Sequence, residues 1–420
     1  MTLSLTREET AMLSGAHGEG TAMALRIVAE TAKLMGAPSL IPVQSAHIDG
    51  ALYHGDSGTL FAEKLVELGA KVTIRATLNV GGLDLMGCSK VNLPPHERDM
   101  AGRMMRAYIK LGCEPTWTCA PYQAGHRPAF SSDVAWGESN AVVFCNSVLG
   151  ARTNRYGDFL DIAAAISGRA PFYGLHIALN RKARFAFDVS TVSPETMRQE
   201  IAWPVLGSLY GRMAGTSVGV VTGVNQHPGD DALKAFGAAA ASTGGVGLFH
   251  ILGVTPEAPD LDTVTGSVQF QETFRITDAQ FREQQRKLAT VEGATRIDAV
   301  AIGSPHLSLA EFEKLAALVN GRRVAVPFYA CTGRHTLAAI EANGLRTALE
   351  TLGVTIVADT CVVVTPILKE LSGGVLMTNS GKFAQYAPGN TGYGVVFGSM
   401  AECVESAMVG KPIFAGATHA

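Results

Sequence analysis

The chain has 420 residues, 47% of them hydrophobic and 17% charged, which excludes an intrinsically disordered polymer. At about 150 residues per domain it points to two or three domains with sizeable cores. Thirty-four Lys and Arg against 37 Asp and Glu leave a net charge of −3, and no basic block offers the clustered face of a nucleic-acid binder.

The N-terminal segment carries Thr6 ahead of Arg7-Glu8-Glu9, a capping-box pattern that predicts a helix running to about Ser14. This segment is acidic and has no long apolar run, which reads against a secretory signal. Nowhere does a stretch of about 20 apolar residues escape charges or breakers, so a membrane span is not expected. The seven cysteines (88, 113, 119, 145, 331, 361 and 403) are odd in number and widely spaced. That usage fits reduced thiols and a cytoplasmic chain better than a disulfide scaffold.

Further along, the spacing predicts a helix over Thr21–Met35, a buried strand at Leu40–Val43, a helix over Gly58–Leu68 and a strand over Lys71–Thr77. The middle of the chain suggests helices at Ala135–Leu149, Phe159–Ser167 and 229–243, a strand at Arg184–Val189, and an exposed connection at Pro256–Asp262. From Ala299 the alternation is regular. Strands at Ala299–Ile302, Val324–Phe328, Thr355–Ala358 and Gly374–Thr378 are separated by helices at Leu309–Val319 and Thr336–Leu352, the signature of a parallel sheet. The expected organisation is α/β: an N-terminal domain over 1–125, a central one over 126–290, and a C-terminal domain with a parallel sheet over 291–420.

Ligands of layered α/β folds collect in loops at the carboxyl ends of strands, and five polar clusters follow apolar runs. Ser45-Ala46-His47-Ile48-Asp49-Gly50 offers a histidine as general base or metal ligand, or else a capped turn. Cys119, before Ala120-Pro121, and Cys361, after Thr360, each read first as small buried residues. With no CxxC anywhere, a metal site would need distant loops. Glu138-Ser139-Asn140, continuing through Asn146-Ser147 to Arg152-Thr153-Asn154-Arg155, presents either a carboxylate or phosphate site or a structural hydrogen-bond network. Thr378-Asn379-Ser380-Gly381-Lys382 resembles an anion cradle, yet it lacks the upstream glycine of a P-loop. No strand–GxGxxG–helix unit supports a nicotinamide dehydrogenase.

Taken in order, several strings resemble the aconitase X family, a divergent branch of the aconitase superfamily. They are 41–47 (Ile-Pro-Val-Gln-Ser-Ala-His), 77–79 (Thr-Leu-Asn), 118–122 (Thr-Cys-Ala-Pro-Tyr), 135–143, 146–155, 253–258, 359–361 and 378–382. The resemblance implies an aconitase-like fold of layered α/β/α domains around a central cleft. It also implies a hydro-lyase that uses an iron–sulfur centre, 2Fe-2S or 3Fe-4S, as Lewis acid on a small β-hydroxy acid. Cis-3-hydroxy-L-proline is the expected substrate, and the alternatives are mevalonate 5-phosphate or an inert ligand-binding paralogue.

On that basis the catalytic residues are His47, Ser45, Glu138 and Lys382, with His47 or a serine alkoxide taking the proton and Lys382, Arg152 and Arg155 available to hold the carboxylate and stabilise its charge. Substrate binding falls to Asn140, Ser147, Arg152, Asn154, Arg155 and Ser380. Cys119 and Cys361 match metal-ligand positions. Where the family pattern can carry Cys-Pro-His, this chain has Ser304-Pro305-His306, a poorer iron ligand, which implies a smaller cluster, a further thiolate from a cysteine such as Cys88 or Cys331, or an iron held by fewer thiolates. The family also includes a small swivelling domain that closes over the site. At 420 residues the chain resembles the large portion alone, and a small partner subunit is expected.

Overall fold

A computed structural model describes residues 3–266 and 269–414. Fourteen strands lie among the described residues, and every sheet of three or more strands is parallel. In chain order they are β1 Leu40–Pro42, β2 Ser45–Ile48, β3 Arg75–Leu78, β4 Ala135–Trp136, β5 Arg169–Pro171, β6 Phe185–Asp188 and β7 Gly219–Thr222. There follow β8 His250–Ile251, β9 Glu272–Arg275, β10 Ala299–Ile302, β11 Phe328–Thr332, β12 Val354–Ala358, β13 Val375–Thr378 and β14 Gly394–Phe397.

The first lobe is built on the sheet β3–β2–β4; its third strand, β4, lies beyond residue 125. The helices Glu19–Leu34, Pro95–Lys110 and Leu160–Ser167 bury their apolar faces with this sheet in one core, and β1 pairs antiparallel with β5 beside it. The expected capping box is present: Thr6 Oγ1 accepts the Glu9 N–H at 3.2 Å, and the Glu9 carboxylate accepts the Thr6 N–H.

The second lobe is the sheet β8–β7–β6–β9. It is covered by helices Ala202–Ala214 and Asp230–Thr243, which lie close because Gly207 and Gly211 have no Cβ. An added Cβ on Gly207 would sit 2.2 Å from the Phe236 carbonyl oxygen. The third lobe is a five-stranded sheet in the order β12–β11–β10–β13–β14. The chain winds outward from β10 in both directions, so β10 and β13 flank a topological switch point, the usual place for a ligand crevice in such sheets.

Three expectations are corrected. The strand expected at Val324–Phe328 lies at Phe328–Thr332 instead, because Pro327 has no N–H to give a ladder. The helix expected over Thr336–Leu352 is two helices, Arg334–Ala342 and Leu345–Thr351, broken at Gly344 with φ 79°. The helix expected from Ala135 starts at Ser139, since Ala135–Trp136 is sheet and Glu138 turns the chain. Among the described residues, no helix is long and apolar enough to cross a membrane.

Candidate active site

The carboxyl ends of the first and third sheets face one another. From the first lobe come Asp49 after β2, Asn79 after β3 and Glu138 after β4; from the third come Ser304 after β10, Cys361 after β12 and Ser380 and Lys382 after β13. Parallel strands aim these loops the same way within each sheet, so the sequence places the polar residues by placing the strand ends.

Glu138 and Lys382 join the two lobes. Their side chains are ion-paired and nearly buried. Glu138 also caps the helix Ser139–Ser147 by accepting the Ala141 N–H at 2.7 Å, from a backbone at φ 67°, ψ 133° that costs a non-glycine residue conformational energy. Burial alone would raise its carboxyl pKa, but Lys382 and the helix N–H groups hold it below the ordinary range. The ammonium is stabilised in turn by Glu138 against its own desolvation.

Cys119, Cys331 and Cys361 come from three separate loops or strands into one buried region. Cys361 is the more acidic of its pair. It receives a hydrogen bond from Cys331 and is helped by the Val363 N–H, Lys382 and Ser304, while burial keeps the Cys331 thiol protonated. Cys119 is pushed up to about 12 by burial and by Glu138. Ser380 caps the helix Gly381–Thr391 and donates its hydroxyl to the Ser304 carbonyl. Asn140 donates to the Cys119 carbonyl at 2.9 Å and to Tyr122 Oη at 3.0 Å, leaving its own buried Oδ1 without a partner. The Gly81 N–H pins the loop bearing Cys361 to the first lobe by donating to the Asp359 carbonyl at 2.7 Å, and within the third lobe Arg334 forks onto the Asp359 carboxylate at 2.6 and 2.8 Å.

Among the described residues, no three His, Cys, Asp or Glu side chains surround one point as ligands of a single ion. A multi-iron cluster spreads its ligands wider. Thiols from Cys119 and Cys361 and a hydroxyl from Ser304 beside Cys361 form a donor set that fits such a cluster with few protein sulfurs, and the Lys382 cation offsets the thiolate charge without ligating.

Beside this region Asp49 accepts a hydrogen bond from Asn79 and faces Glu138, Asp158 and Asp161. Burial, then the charges of Glu138 and Asp158, raise it to about 7. Asp161 in turn accepts the Asp49 N–H at 2.6 Å and is lifted by burial to about 8.

Ser45 and His47 are buried in β2 rather than in a loop. His47 Nδ1 meets Thr77 Oγ1 at 2.8 Å, and the same hydroxyl meets His126 Nδ1 at 2.7 Å. With one proton on the hydroxyl, the two rings hold different tautomers. Burial depresses both histidines to about 3, so they are neutral.

The string from Asn146 to Arg155 mostly serves structure. Asn146 bonds the Thr153 and Gly247 backbones and shares Arg181, itself paired with Glu257 at 2.9 Å. Ser147 Oγ accepts the Phe249 N–H at 2.9 Å. Asn154 bonds the Tyr173 carbonyl and the Leu175 N–H. Arg155 is exposed and reaches the Ala241 carbonyl at 3.4 Å, and Arg152 is half-buried near Arg181 with its Nε unpartnered. The structure therefore gathers Glu138, Asn140, Lys382, Ser380, Cys119, Cys361 and Ser304, and sets Ser147, Asn154 and Arg155 in a separate scaffold. Sequence reasoning passed over His306 and Asn79 as site residues; the position of each just past a strand was the signal.

Models of the first, second and third domains of aconitase X match residues 2–179, 183–286 and 297–409. The chain is 41% identical over 407 residues to a cis-3-hydroxy-L-proline dehydratase of Pseudomonas aeruginosa, covering 96% of this chain and 70% of that protein. It is 33% identical over 405 residues to a phosphomevalonate dehydratase large subunit of Methanocaldococcus jannaschii, covering 96% of this chain and 99% of the relative. The crystal structure of Thermococcus kodakaraensis aconitase X in its holo form superposes with a TM-score of 0.86 at 32% identity, over 96% of this chain and 100% of that one.

Proposed function

Because this chain belongs to the aconitase X family, we propose that it is a hydro-lyase removing water from a small β-hydroxy carboxylic acid, with cis-3-hydroxy-L-proline as substrate. The observation that carries the reading is the convergence of Cys119, Cys361 and Ser304 beside the buried Glu138–Lys382 pair, at the carboxyl ends of two facing sheets. The choice of hydroxyproline over a phosphorylated acid rests on the higher identity to the dehydratase of that name and on Ser304 standing where the family pattern can have cysteine.

Cys119, Cys361 and Ser304 would hold an iron–sulfur cluster, which when bound supplies Lewis-acid stabilisation of the departing hydroxyl. Lys382 keeps a full positive charge in a low-dielectric crevice, suited to a substrate carboxylate and to the negative charge that builds up as the α-proton leaves. Asp49, lifted towards neutrality beside it, can exchange a proton at physiological pH. Glu138 fixes the ammonium, and Ser380 fixes the Ser304 loop. A small swivelling domain is the proposed partner. The Pseudomonas relative extends well beyond the matched length, whereas the archaeal relative is by name a large subunit.

The test is an anaerobic assay of both candidate substrates with matched iron and sulfide analysis, with and without an added small subunit of the family. Cys119→Ala and Cys361→Ala should each lose iron and turnover together. Full iron content in both variants would refute the reading.

A further inference from the structure

His306 makes a polar contact from every part of the residue. Its ring is fully buried. Nε2 lies 3.1 Å from the Thr360 carbonyl, and Nδ1 lies 3.0 Å from Thr118 Oγ1. A carbonyl can only accept, so Nε2 carries the proton and Nδ1 must accept from the threonine hydroxyl. The two ends of the ring are thus chemically distinct, and each grips the residue just before a cysteine: Thr118 before Cys119, Thr360 before Cys361. The main chain adds two more ties. The His306 N–H points at Cys119 Sγ at 3.3 Å, and its carbonyl accepts from Lys234 Nζ at 3.3 Å.

Lys234 is a firm anchor. It is buried and paired with Asp231 at 2.9 Å and with Glu311, and Glu311 in turn closes the capping box of the helix Leu309–Val319 with Ser308. Gly333 leaves room for the arrangement, since a Cβ there would come within 2.9 Å of Thr118 Cβ.

We infer that His306 is a positioning residue that fixes the separation of the Cys119 and Cys361 loops, bracing both against the Lys234 ion-pair cluster. The inference deepens the proposed metal site and rests on it. The ring is fully buried, so its role is exerted through the two cysteine loops; outer partners of this kind typically change metal affinity by about 10–100-fold.

The experiment uses the full chain freed of iron and reconstituted anaerobically with ferrous iron and sulfide, reading the iron–sulfur charge-transfer band and the iron retained after gel filtration. Thr118→Val removes the hydroxyl at nearly constant shape, Thr118→Ser retains it, and His306→Phe removes both ring contacts. Thr118→Val and His306→Phe should need about tenfold more iron to reach half of the band or worse, with Thr118→Ser close to wild type and the unfolding midpoint of Thr118→Val little changed. Cys119→Ser and Cys361→Ser should each abolish the band. If the cysteine variants lose it while Thr118→Val and His306→Phe match wild type, the positioning role is overturned and the metal site stands. If the cysteine variants keep the band, the site itself falls, and the inference with it.

Discussion

Glu138 and Lys382 permit a quantitative test. Each is nearly enclosed, at 7% and 9% exposure, and they contact one another across the first and third lobes. Removing one partner of such a pair strands the other, at about 3–5 kcal/mol. Lys382→Met leaves the Glu138 carboxylate with the Ala141 N–H and the Ser139 hydroxyl, which places it near the lower figure, about 3 kcal/mol. Glu138→Gln keeps an oxygen for the Ala141 N–H but deprives the ammonium of its carboxylate, about 3–4 kcal/mol. The double variant buries two neutral groups, so it should cost no more than either single change, a coupling of at least about 3 kcal/mol. Urea unfolding followed by tryptophan fluorescence, with slopes held against wild type, measures this cycle, while dehydratase turnover should be lost in all three. Additive single costs, or single variants less than about 1 kcal/mol below wild type, would refute the buried-pair argument.

Asp49→Asn should reshape the pH dependence of stability. The folded carboxyl titrates at about 7 against 3.8 for the free group, so the folded state holds more protons between those values and wild-type stability falls as pH rises through them. The Asn variant lacks that fall, and its melting-temperature advantage should grow from pH 4 to 7 and then level; a constant difference would remove the cause. Gly303→Ala should lower stability by at least about 2 kcal/mol and reduce iron retention, because φ is +91° and the new Cβ would meet the Cys331 carbonyl at 2.3 Å. A melting curve like wild type would contradict it. The chain alone should show little dehydratase turnover and gain it on addition of a small family subunit, checked in one anaerobic titration; full turnover without the subunit would dismiss the partner.

Much of the scaffold is legible in the residues because strand and helix periods repeat cleanly in the third lobe. Ala299–Ile302 and Leu309–Val319 fall where apolar spacing puts them. Sequence failed where a single residue overrules a pattern: Pro327 delays β11, and Glu138 accepts a strained turn in order to cap a helix and meet Lys382. The Asn146–Arg155 string shows the converse. Its arginines and amides look like a ligand fork, yet the amides of Asn146 and Asn154 and the guanidinium of Arg155 bond backbone carbonyls, because a buried crossing of chain segments needs many polar partners. Which of two polar strings faces a crevice depends on lobe against lobe, and no local period encodes that.

The Glu138–Lys382 contact spans 244 positions of chain. A ribosome finishes the first lobe, with Cys119 in it, long before Cys361 and Lys382 emerge. During that interval the early cysteine has neither its companion thiol nor the cation that offsets its charge, so the proposed metal cradle is only half present. Assembly of that proposed centre is therefore a late event in the life of each molecule, timed by the closing of the last sheet onto the first.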